Sequence, residues 1–218
     1  DEAVIDRAVE IASKHHPINE HSHVLEIGPG PGSLTLELLR TGAKVTAIEL
    51  DEEATSHLAR VFNNADGKLQ VIHADALEID WPKDITHIVS NLPYQISSPV
   101  LDRIQKHHFS SKLKGISLLV QEEFAERMAM NKGYASRGPL GHSLWLDFDV
   151  ELDSKVAPHS FSPSPRVHSR LTNLIPVNRE MTESIDRRLF RMVIIECFAN
   201  RRRKLRTSLK KPPKRLNR

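Results

Sequence analysis

Seven short apolar runs, most of them separated by segments with the apolar spacing of a helix, predict a sheet of seven strands. The first five runs alternate with helical segments, and this order predicts parallel strands joined by right-handed crossovers. No helical segment of its own separates the last two runs, so we expect them to form an antiparallel closing pair. The predicted strands span residues 24–27, 44–49, 69–72, 85–90, 115–120, 144–150 and 167–175.

A glycine-rich turn, Gly28-Pro29-Gly30-Pro31-Gly32, follows the first predicted strand and precedes a helical pattern from Leu34 to Leu39. Glycine allows the backbone to approach a ligand closely, and sheets of this kind bind ligands outside the carboxyl ends of their strands. The strand, the turn and the helix therefore predict a cradle for a nucleotide cofactor.

The spacing of the glycines discriminates between cofactors. The dinucleotide fingerprint G-x-G-x-x-G would place its third glycine at position 33, which is Ser33, whereas the third glycine is Gly32. The pattern Glu26-x-Gly28-x-Gly30-x-Gly32 is the form associated with S-adenosylmethionine-dependent methyltransferases. Together with the lack of an evident hydride-transfer partner, this spacing disfavours a nicotinamide oxidoreductase.

Acidic residues stand at the ends of the next two predicted strands. Glu49 ends the second strand, where a carboxylate can accept both hydroxyls of a cofactor ribose. Asp75 follows the third strand, where it can accept the amino group of the cofactor adenine. Either acid could instead serve the start of a helix, where acidic residues are common. Three successive strand ends with the expected chemistry nevertheless favour a methyltransferase.

The fourth predicted strand leads into Asn91-Leu92-Pro93-Tyr94. The Asn91 amide oxygen can accept a hydrogen bond from an exocyclic amino group, and Pro93 fixes the backbone so that a neighbouring carbonyl can accept a second. The Tyr94 ring can stack on a base. These are the needs of an enzyme that alkylates an amino nitrogen of a nucleobase, although the same residues could simply form a turn after a strand.

These motifs resemble those of the ribosomal RNA adenine N6,N6-dimethyltransferases of the KsgA type, and residues 95–98 resemble the archaeal and eukaryotic branch of that family. The resemblance covers nearly the whole chain. Its specific parts are residues 91–99 and 161–167, whereas the glycine turn is not specific. The segments that carry it are 25–35, 48–51, 75–77, 91–99, 120–127, 161–167 and 198–206.

The resemblance implies an α/β fold, namely a seven-stranded Rossmann-like class I methyltransferase sheet with a small C-terminal helical domain. The S-adenosylmethionine-binding catalytic domain would span residues 1–177, and a basic helical domain would span residues 178–218. Family members carry a Gly-Gln-x-Phe-Leu segment just before the region where this chain begins. We therefore expect a chain truncated at its amino end. We also expect an incomplete C-terminal domain, since the sequence stops soon after Ser208-Leu209.

The resemblance also implies an activity: transfer of methyl groups from S-adenosylmethionine to N6 of two adjacent adenosines near the 3′ end of small-subunit rRNA. The product would be S-adenosylhomocysteine, and the role would lie in ribosome biogenesis. Because the sulfonium methyl is already activated, catalysis needs positioning and charge stabilisation rather than a general base. Asn91 and the Leu92 carbonyl would orient the amine, while Tyr94 and Phe161 would cover the two faces of a flipped-out adenine. Phe161 could instead be a core residue before a proline turn.

The predicted site residues form three groups. The catalytic group is Asn91, Leu92, Pro93, Tyr94 and Phe161. The cofactor-binding group is Glu26, Gly28, Gly30, Gly32, Glu49, Leu50, Asp75, Ala76 and Asn91. The RNA-binding group is Arg201, Arg202, Arg203, Lys204 and Arg206. No metal site is predicted, because adjacent histidines such as His15 and His16 point in different directions.

The formal net charge of +3 conceals an asymmetry along the 218-residue chain. Residues 201–218 contain ten Lys or Arg and no acid, so the first 200 residues hold 21 basic and 28 acidic side chains, a charge of about −7. Such a basic block favours an RNA backbone, although it could equally be a solvated end. No apolar run approaches the roughly 20 residues that a bilayer requires, and the given sequence does not open with a signal-peptide pattern. We expect a monomeric cytoplasmic protein whose partner is the small ribosomal subunit and its rRNA.

Two other functions remain open. A large-subunit rRNA or DNA adenine N6-methyltransferase would keep the chemistry and change the substrate. A non-catalytic ribosome-assembly or transcription factor would keep the fold and bind RNA through its basic end. Intact Asn91, Tyr94, Glu49 and Asp75 argue against the second alternative.

Overall fold

A mixed sheet of seven strands forms the centre of the computed structural model, which describes residues 1–63, 65–199 and 201–210. The strands are β1 (His23–Ile27), β2 (Lys44–Glu49), β3 (Leu69–His73), β4 (His87–Asn91), β5 (Gly115–Gln121), β6 (Phe148–Val156) and β7 (Ser169–Pro176). Their order is β3-β2-β1-β4-β5-β7-β6. Strands β1 to β5 are parallel, and β7 runs antiparallel to both β5 and β6. The predicted strand number and antiparallel closing pair are confirmed.

Helices connect three of the four successive pairs of parallel strands and cover the sheet, whereas residues 74–86 join β3 to β4 without a helix, so the predicted alternation is wrong at that connection. The α-helices of the described part are α1 (Glu2–Ser13), α2 (Ser33–Arg40), α3 (Glu52–Val61), α4 (Ser97–Ser111), α5 (Glu122–Ala129), α6 (Gly133–Ser136), α7 (Pro139–Trp145), α8 (Arg187–Ala199) and α9 (Leu205–Ser208). Short 3₁₀ turns span Tyr94–Ile96, Pro158–Ser160 and Glu180–Thr182.

Both faces of the sheet are buried at its central strands, where successive side chains point to opposite sides and pack into two separate clusters. Val24 packs with Val45 and with residues of α1 and α2 on one face. The next residue, Leu25, packs with Ile88 and with Leu101 of α4 on the other. All five residues of β1 are buried, so its carboxyl end is a fixed support for the residues that follow it.

The prediction for the sixth strand, residues 144–150, is wrong in its first part. Helix α7 continues to Trp145, and β6 begins only at Phe148. Leu140 and Leu144 lie four residues apart and both contact the core, so the helical spacing prevails over the alternating one. The other six predicted strands agree with the observed bounds to within two residues at each end.

The C-terminal part of the chain is helical where the structure describes it. Helix α8 lies against α7, with the rings of Phe198 and His142 5.1 Å apart, and α9 follows. The predicted domain boundary between residues 177 and 178 stays a prediction. Residues 200 and 211–218, which belong to segments named above, lie outside the described residues. Among the residues that the structure describes, no helix is both long and apolar enough to span a membrane.

Candidate active site

The glycine turn between β1 and α2 requires backbone angles that favour glycine. Gly28, Gly30 and Gly32 have φ values of 67°, 54° and 88°. A Cβ on Gly32 would lie 2.7 Å from side-chain atoms of Leu58 and Phe62, so the turn packs closely against α3 and the residue that follows it. By contrast, a Cβ on Gly30 would meet no atom within 4 Å. The space beside Gly30 is therefore open to a ligand.

The same turn touches the motif at the end of β4. A Cβ on Gly28 would lie 3.4 Å from the Pro93 ring. The Gly28 N–H donates to the Ile48 carbonyl at 2.9 Å, which also ties the turn to β2. Three segments that are far apart in sequence thus meet at one edge of the sheet, as the prediction of a site outside the carboxyl ends requires.

Glu26 is a buried carboxyl group in the central strand. Its side chain is 1% exposed, and the Thr35 hydroxyl donates to its Oε2 at 2.6 Å. Burial raises the pKa of Glu26 to about 8, and the charge of Glu49 acts in the same direction, while the Thr35 hydrogen bond opposes both. The carboxyl group is therefore largely protonated at neutral pH unless a cation approaches it.

Glu49 connects the end of β2 to the glycine turn. Its Oε1 accepts from the N–H groups of Leu50 and Asp51 at 2.8 and 3.0 Å, and its Oε2 accepts from the Gly30 N–H at 3.1 Å. A carboxylate offers about four acceptor positions, so these contacts fix its orientation and use most of its capacity. Leu50 beside it is 68% exposed and presents an apolar surface next to the carboxylate.

Asp75 begins a tight turn after β3. The Leu77 N–H donates to Asp75 Oδ1 at 2.7 Å. The Ala74 N–H donates to the Glu49 carbonyl at 2.9 Å, so the starts of both acidic segments are joined by the backbone. Ala76 is buried beneath the turn.

The motif at the end of β4 divides its side chains between solvent and core. Asn91 is exposed, whereas Leu92 is buried and donates its N–H to the Leu119 carbonyl at 3.1 Å. Tyr94 is half-buried, and its hydroxyl lies 2.7 Å from Ser169 Oγ. The Asn91 amide is therefore free to face a ligand while its neighbours are fixed by packing and hydrogen bonds.

A cavity of 360 Å³ joins several of the predicted residues. Glu26, Gly28, Gly30, Asn91 and Phe161 all line it. Glu49, Asp75 and Tyr94 lie outside its wall, at the surrounding strand ends. The structure thus brings a glycine turn, a buried acid, an amide and an aromatic ring around one space at the carboxyl edge of the sheet.

Part of the cavity wall was missed by the sequence prediction. Val4, Ile5 and Ala8 of α1 line the cavity, as does Ser90 of β4. The helical spacing of the α1 residues predicts a buried face, but no local signal tells which part of the molecule that face covers. Ser90 also accepts the Ile27 N–H at 2.8 Å, so it braces the start of the glycine turn.

These residues fit S-adenosylmethionine. The positive-φ glycines let a ligand approach the backbone, and the open space beside Gly30 admits it. The buried Glu26 carboxyl can face a positively charged group, and the exposed Leu50 can cover a flat ring. Within the described residues, no group of three or more His, Cys, Asp or Glu is arranged to hold a metal ion.

The predicted RNA-binding residues differ in their surroundings. The Arg201 guanidinium donates to the carbonyls of Tyr134 and Arg137 at 3.2 and 2.7 Å, and the Tyr134 hydroxyl donates back to the Arg201 carbonyl at 3.1 Å. Arg202, Arg203, Lys204 and Arg206 are exposed. Arg201 therefore attaches the C-terminal segment to the loop around α6, while the others face solvent.

Comparison with known proteins gives a consistent result. The model of the family described as "Ribosomal RNA adenine dimethylase" matches residues 1–217. The probable ribosomal RNA small subunit methyltransferase A of Haloarcula marismortui is 37% identical over 212 residues, which are 96% of this chain and 71% of the relative.

Two solved structures are similar over most of the chain. A dimethyladenosine transferase from Plasmodium falciparum superimposes with a TM-score of 0.84 at 30% identity, covering 97% of this chain and 74% of the other. The 23S rRNA methyltransferase ErmE superimposes with a TM-score of 0.80 at 26% identity, covering 100% and 86%.

Proposed function

The chain belongs to the ribosomal RNA adenine dimethylase family and is an S-adenosylmethionine-dependent methyltransferase of rRNA adenine, and we propose that it acts on two adjacent adenosines near the 3′ end of small-subunit rRNA. The choice of the small subunit is supported by relatives named for it at 33–37% identity. Dimethylation of each adenosine and a role in ribosome biogenesis are part of the proposal.

Asn91 is the observation that carries this proposal. It is an exposed amide at the end of β4, and it lines the same cavity as the glycine turn and Phe161. In our proposal, its side-chain oxygen and the Leu92 carbonyl accept the two hydrogens of the adenine N6 amine. The lone pair of that nitrogen then points into the cavity. S-adenosylmethionine supplies an activated methyl group when bound, so these residues need only orient the amine and stabilise its developing positive charge.

Tyr94 and Phe161 would hold the target base between two rings. The Tyr94 ring is fixed through its hydroxyl, and Phe161 lines the cavity from the loop after β6. Stacking suits a base taken out of a single-stranded loop, because every base offers a flat face. Pro93 contributes by holding the motif against Gly28.

The cofactor would lie along the other strand ends. Glu26, Gly28, Gly30, Gly32 and Asn91 would surround its methionine part, with the Glu26 carboxylate facing a positive group. Glu49 would accept ribose hydroxyls, and Leu50 and Ala76 would contact the adenine ring, whose amino group would donate to Asp75. Because Gly30 already donates to Glu49 Oε2, accepting both hydroxyls requires that this hydrogen bond yield to the ligand.

The exposed basic residues of the C-terminal segment would contact the rRNA backbone. Arg202, Arg203, Lys204 and Arg206 supply charges to solvent, and Arg201 places them by its contacts with the loop around α6. The division into a catalytic domain of residues 1–177 and a basic helical domain of residues 178–218 is part of the proposal. So are a monomeric state and a cytoplasmic location.

The test is transfer of labelled methyl groups to under-methylated small ribosomal subunits, with the product mapped by nuclease digestion and mass spectrometry. We expect N6,N6-dimethyladenosine at two adjacent positions. Asn91→Ala should lower the rate by on the order of 100-fold, since a preorganised polar contact to the reacting group is lost. Gln95→Ala is the matched control, because Gln95 is an exposed amide four residues further along. Near-normal turnover by Asn91→Ala would exclude its proposed role.

A second candidate keeps the chemistry and changes the substrate. The similarity to ErmE, named a 23S rRNA methyltransferase, covers the whole of this chain. Protein-free large-subunit rRNA and adenine-containing DNA should therefore be assayed beside the small subunit. Label confined to either of them would replace the proposed substrate. Cofactor binding without transfer to any of the three would favour an assembly factor.

A further inference from the structure

Arg103, which lies outside the predicted site, binds the backbone of residues 75–79, here called the 75–79 turn. Its two terminal guanidinium nitrogens donate to the carbonyls of Leu77 and Ile79. An arginine presents its donors in a rigid planar fork, so a single side chain can fix two carbonyls of one turn. A lysine offers a single ammonium on a flexible stem and lacks this geometry.

Trp81 also holds this turn. Its Nε1 donates to the Ala76 carbonyl at 3.0 Å, and the indole is buried. The Arg103 guanidinium lies 5.1 Å from the centre of the Trp81 ring, a cation–π distance. His107, one helical turn after Arg103, places its ring 5.6 Å from the same indole. Arg103 and Trp81 therefore support each other as well as the turn.

The held turn is the one that orients Asp75. The Leu77 N–H fixes Asp75 Oδ1, and the Asp75 carbonyl accepts from the N–H groups of Glu78 and Ile79 at 3.0 and 3.2 Å. Within the described residues, this leaves Oδ2 as the carboxylate oxygen without a donor. Its direction depends on the position of the turn, which Arg103 and Trp81 set.

Helix α4 connects this turn to the catalytic motif. It begins at Ser97, directly after the 3₁₀ turn Tyr94–Ile96, and Arg103 lies six residues further on. At 1.5 Å per residue the separation along the axis is about 9 Å. The helix that follows residues 91–96 therefore also carries the side chain that holds the 75–79 turn, so it links the two segments.

We propose that Arg103, assisted by Trp81, is a positioning residue that holds Asp75 for recognition of the amino group of the cofactor adenine. Arg103 contacts neither the cofactor nor the reacting atoms. Its effect is on the affinity and the base selectivity of the cofactor site. This inference rests on the proposed function, which places the cofactor adenine beside Asp75.

The test compares two ligands in binding calorimetry. S-adenosylhomocysteine carries the amino group that Asp75 would accept, whereas S-inosylhomocysteine carries a carbonyl oxygen there. We expect the wild type to prefer the first ligand. Arg103→Met should weaken the binding of S-adenosylhomocysteine about tenfold, as expected for one charged hydrogen bond. It should weaken the binding of S-inosylhomocysteine much less. The ratio of the dissociation constant of S-inosylhomocysteine to that of S-adenosylhomocysteine should therefore fall.

Lys106→Met is the matched control, because it removes one positive charge from an exposed position of the same helix. It should change both affinities by less than about twofold. Trp81→Phe retains an aromatic ring and loses the hydrogen bond to Ala76, so it should lower the ratio to a smaller extent. If Arg103→Met does not fold in a thermal melt, Arg103→Lys keeps the stem and the charge, and the same ratio is measured on it.

Three results would overturn the inference: equal weakening of both ligands, no change in either, or a wild type that binds both ligands equally well. Equal weakening would mean that Arg103 only supports the fold. The proposed substrate is decided separately by methyl transfer. If Arg103→Met lowers the ratio but the wild type does not methylate small subunits, the role of Arg103 stands and the proposed substrate is removed.

Discussion

The Tyr94 hydroxyl lies 2.7 Å from Ser169 Oγ and so links the motif after β4 to the first residue of β7. Ser169 is fully buried, and it pairs with Gln121 at the end of β5. The hydrogen bond therefore spans from the turn after β4 across β5 to the antiparallel strand. It fixes the orientation of an aromatic ring next to the exposed Asn91 amide.

Removal of the Tyr94 ring should weaken capture of the target base. Stacking on an aromatic side chain contributes about 1–3 kcal/mol per base, so Tyr94→Ala should raise KM for the rRNA substrate roughly 5- to 150-fold. The affinity for S-adenosylhomocysteine should stay unchanged. Steady-state kinetics on under-methylated subunits and calorimetry with the cofactor product measure the two effects. A large fall in cofactor affinity would show that Tyr94 supports the site as a whole.

The hydroxyl and the ring of Tyr94 can be tested separately. Tyr94→Phe keeps the stacking surface and loses the hydrogen bond to Ser169, and Ser169→Ala loses the same bond from the other side. Both variants should raise KM for the rRNA substrate by a similar amount, which is on the order of 1 kcal/mol and smaller than the effect of Tyr94→Ala. The double variant should be no worse than either single variant, because one interaction is removed in all three. Additive effects would mean that the two residues act independently.

Glu26 should make the stability of the protein fall as the pH rises. Burial raises the pKa of Glu26 to about 8 from 4.5, so between these values the unfolded chain loses a proton that the folded chain keeps. The unfolded state then binds fewer protons, and the free energy of unfolding decreases with increasing pH. Glu26→Gln removes this dependence. Its Tm relative to the wild type should rise between pH 5 and pH 8, as measured in thermal melts.

A cation in the cavity should reverse the protonation of Glu26. In our proposal the positive charge of S-adenosylmethionine lies beside this carboxyl group and would lower its pKa, so binding at pH 7 should release a proton. Calorimetry in buffers of different ionisation enthalpy measures that release. Exposed Glu52 provides the control. The Glu52→Gln protein should release as many protons on binding as the wild type, and the Glu26→Gln protein should release fewer. Equal release by all three proteins would place the cofactor's charge away from Glu26.

Alanine at Gly30 and at Gly32 should affect stability and cofactor binding to different extents. At Gly32 a Cβ would lie 2.7 Å from Leu58 and Phe62, so Gly32→Ala adds a clash to the strain of a positive φ. At Gly30 a Cβ meets no atom within 4 Å, and only the strain remains. The strain costs about 1–2 kcal/mol, and the clash adds roughly 1–3 kcal/mol.

Gly32→Ala should therefore lower Tm by more than Gly30→Ala. Gly30→Ala should weaken cofactor binding by more than Gly32→Ala, because the Gly30 methyl group would enter the space beside the cavity. Thermal melts and calorimetry on both variants provide the comparison. A Gly30→Ala protein with wild-type cofactor affinity would show that the ligand does not approach the turn there.

The sequence predicted the strand ends better than the walls around them. Glu49, Asp75 and Asn91 were placed correctly at one edge of the sheet, because the period of each apolar run and the order of parallel strands determine that edge. The cavity wall from α1 was not predicted, since it depends on which distant element covers the glycine turn. The start of β6 was missed because Leu144 fits both an alternating and a helical pattern.

Arg201 and Arg202 look equivalent in the sequence and should behave differently. The Arg201 guanidinium lies 5.6 Å from the Tyr134 ring and 5.5 Å from the Phe198 ring, in addition to its hydrogen bonds to carbonyls, whereas Arg202 is exposed. Arg201→Ala should therefore lower the melting temperature as well as the affinity for RNA. Arg202→Ala should leave the melting temperature unchanged.

Salt dependence separates a charge that contacts RNA from one that supports the fold. Each phosphate contact contributes about −0.7 to −0.9 to the slope of log K against log salt concentration, because counterions are released on binding. Arg202→Ala should make that slope shallower by about this amount, since it removes one contact. Arg201→Ala should reduce affinity with little change in slope, because its guanidinium is already used within the protein. If instead Arg201→Ala lost the full increment of slope and kept the wild-type Tm, its charge would act on the RNA, and the loop around α6 would be held by its other contacts.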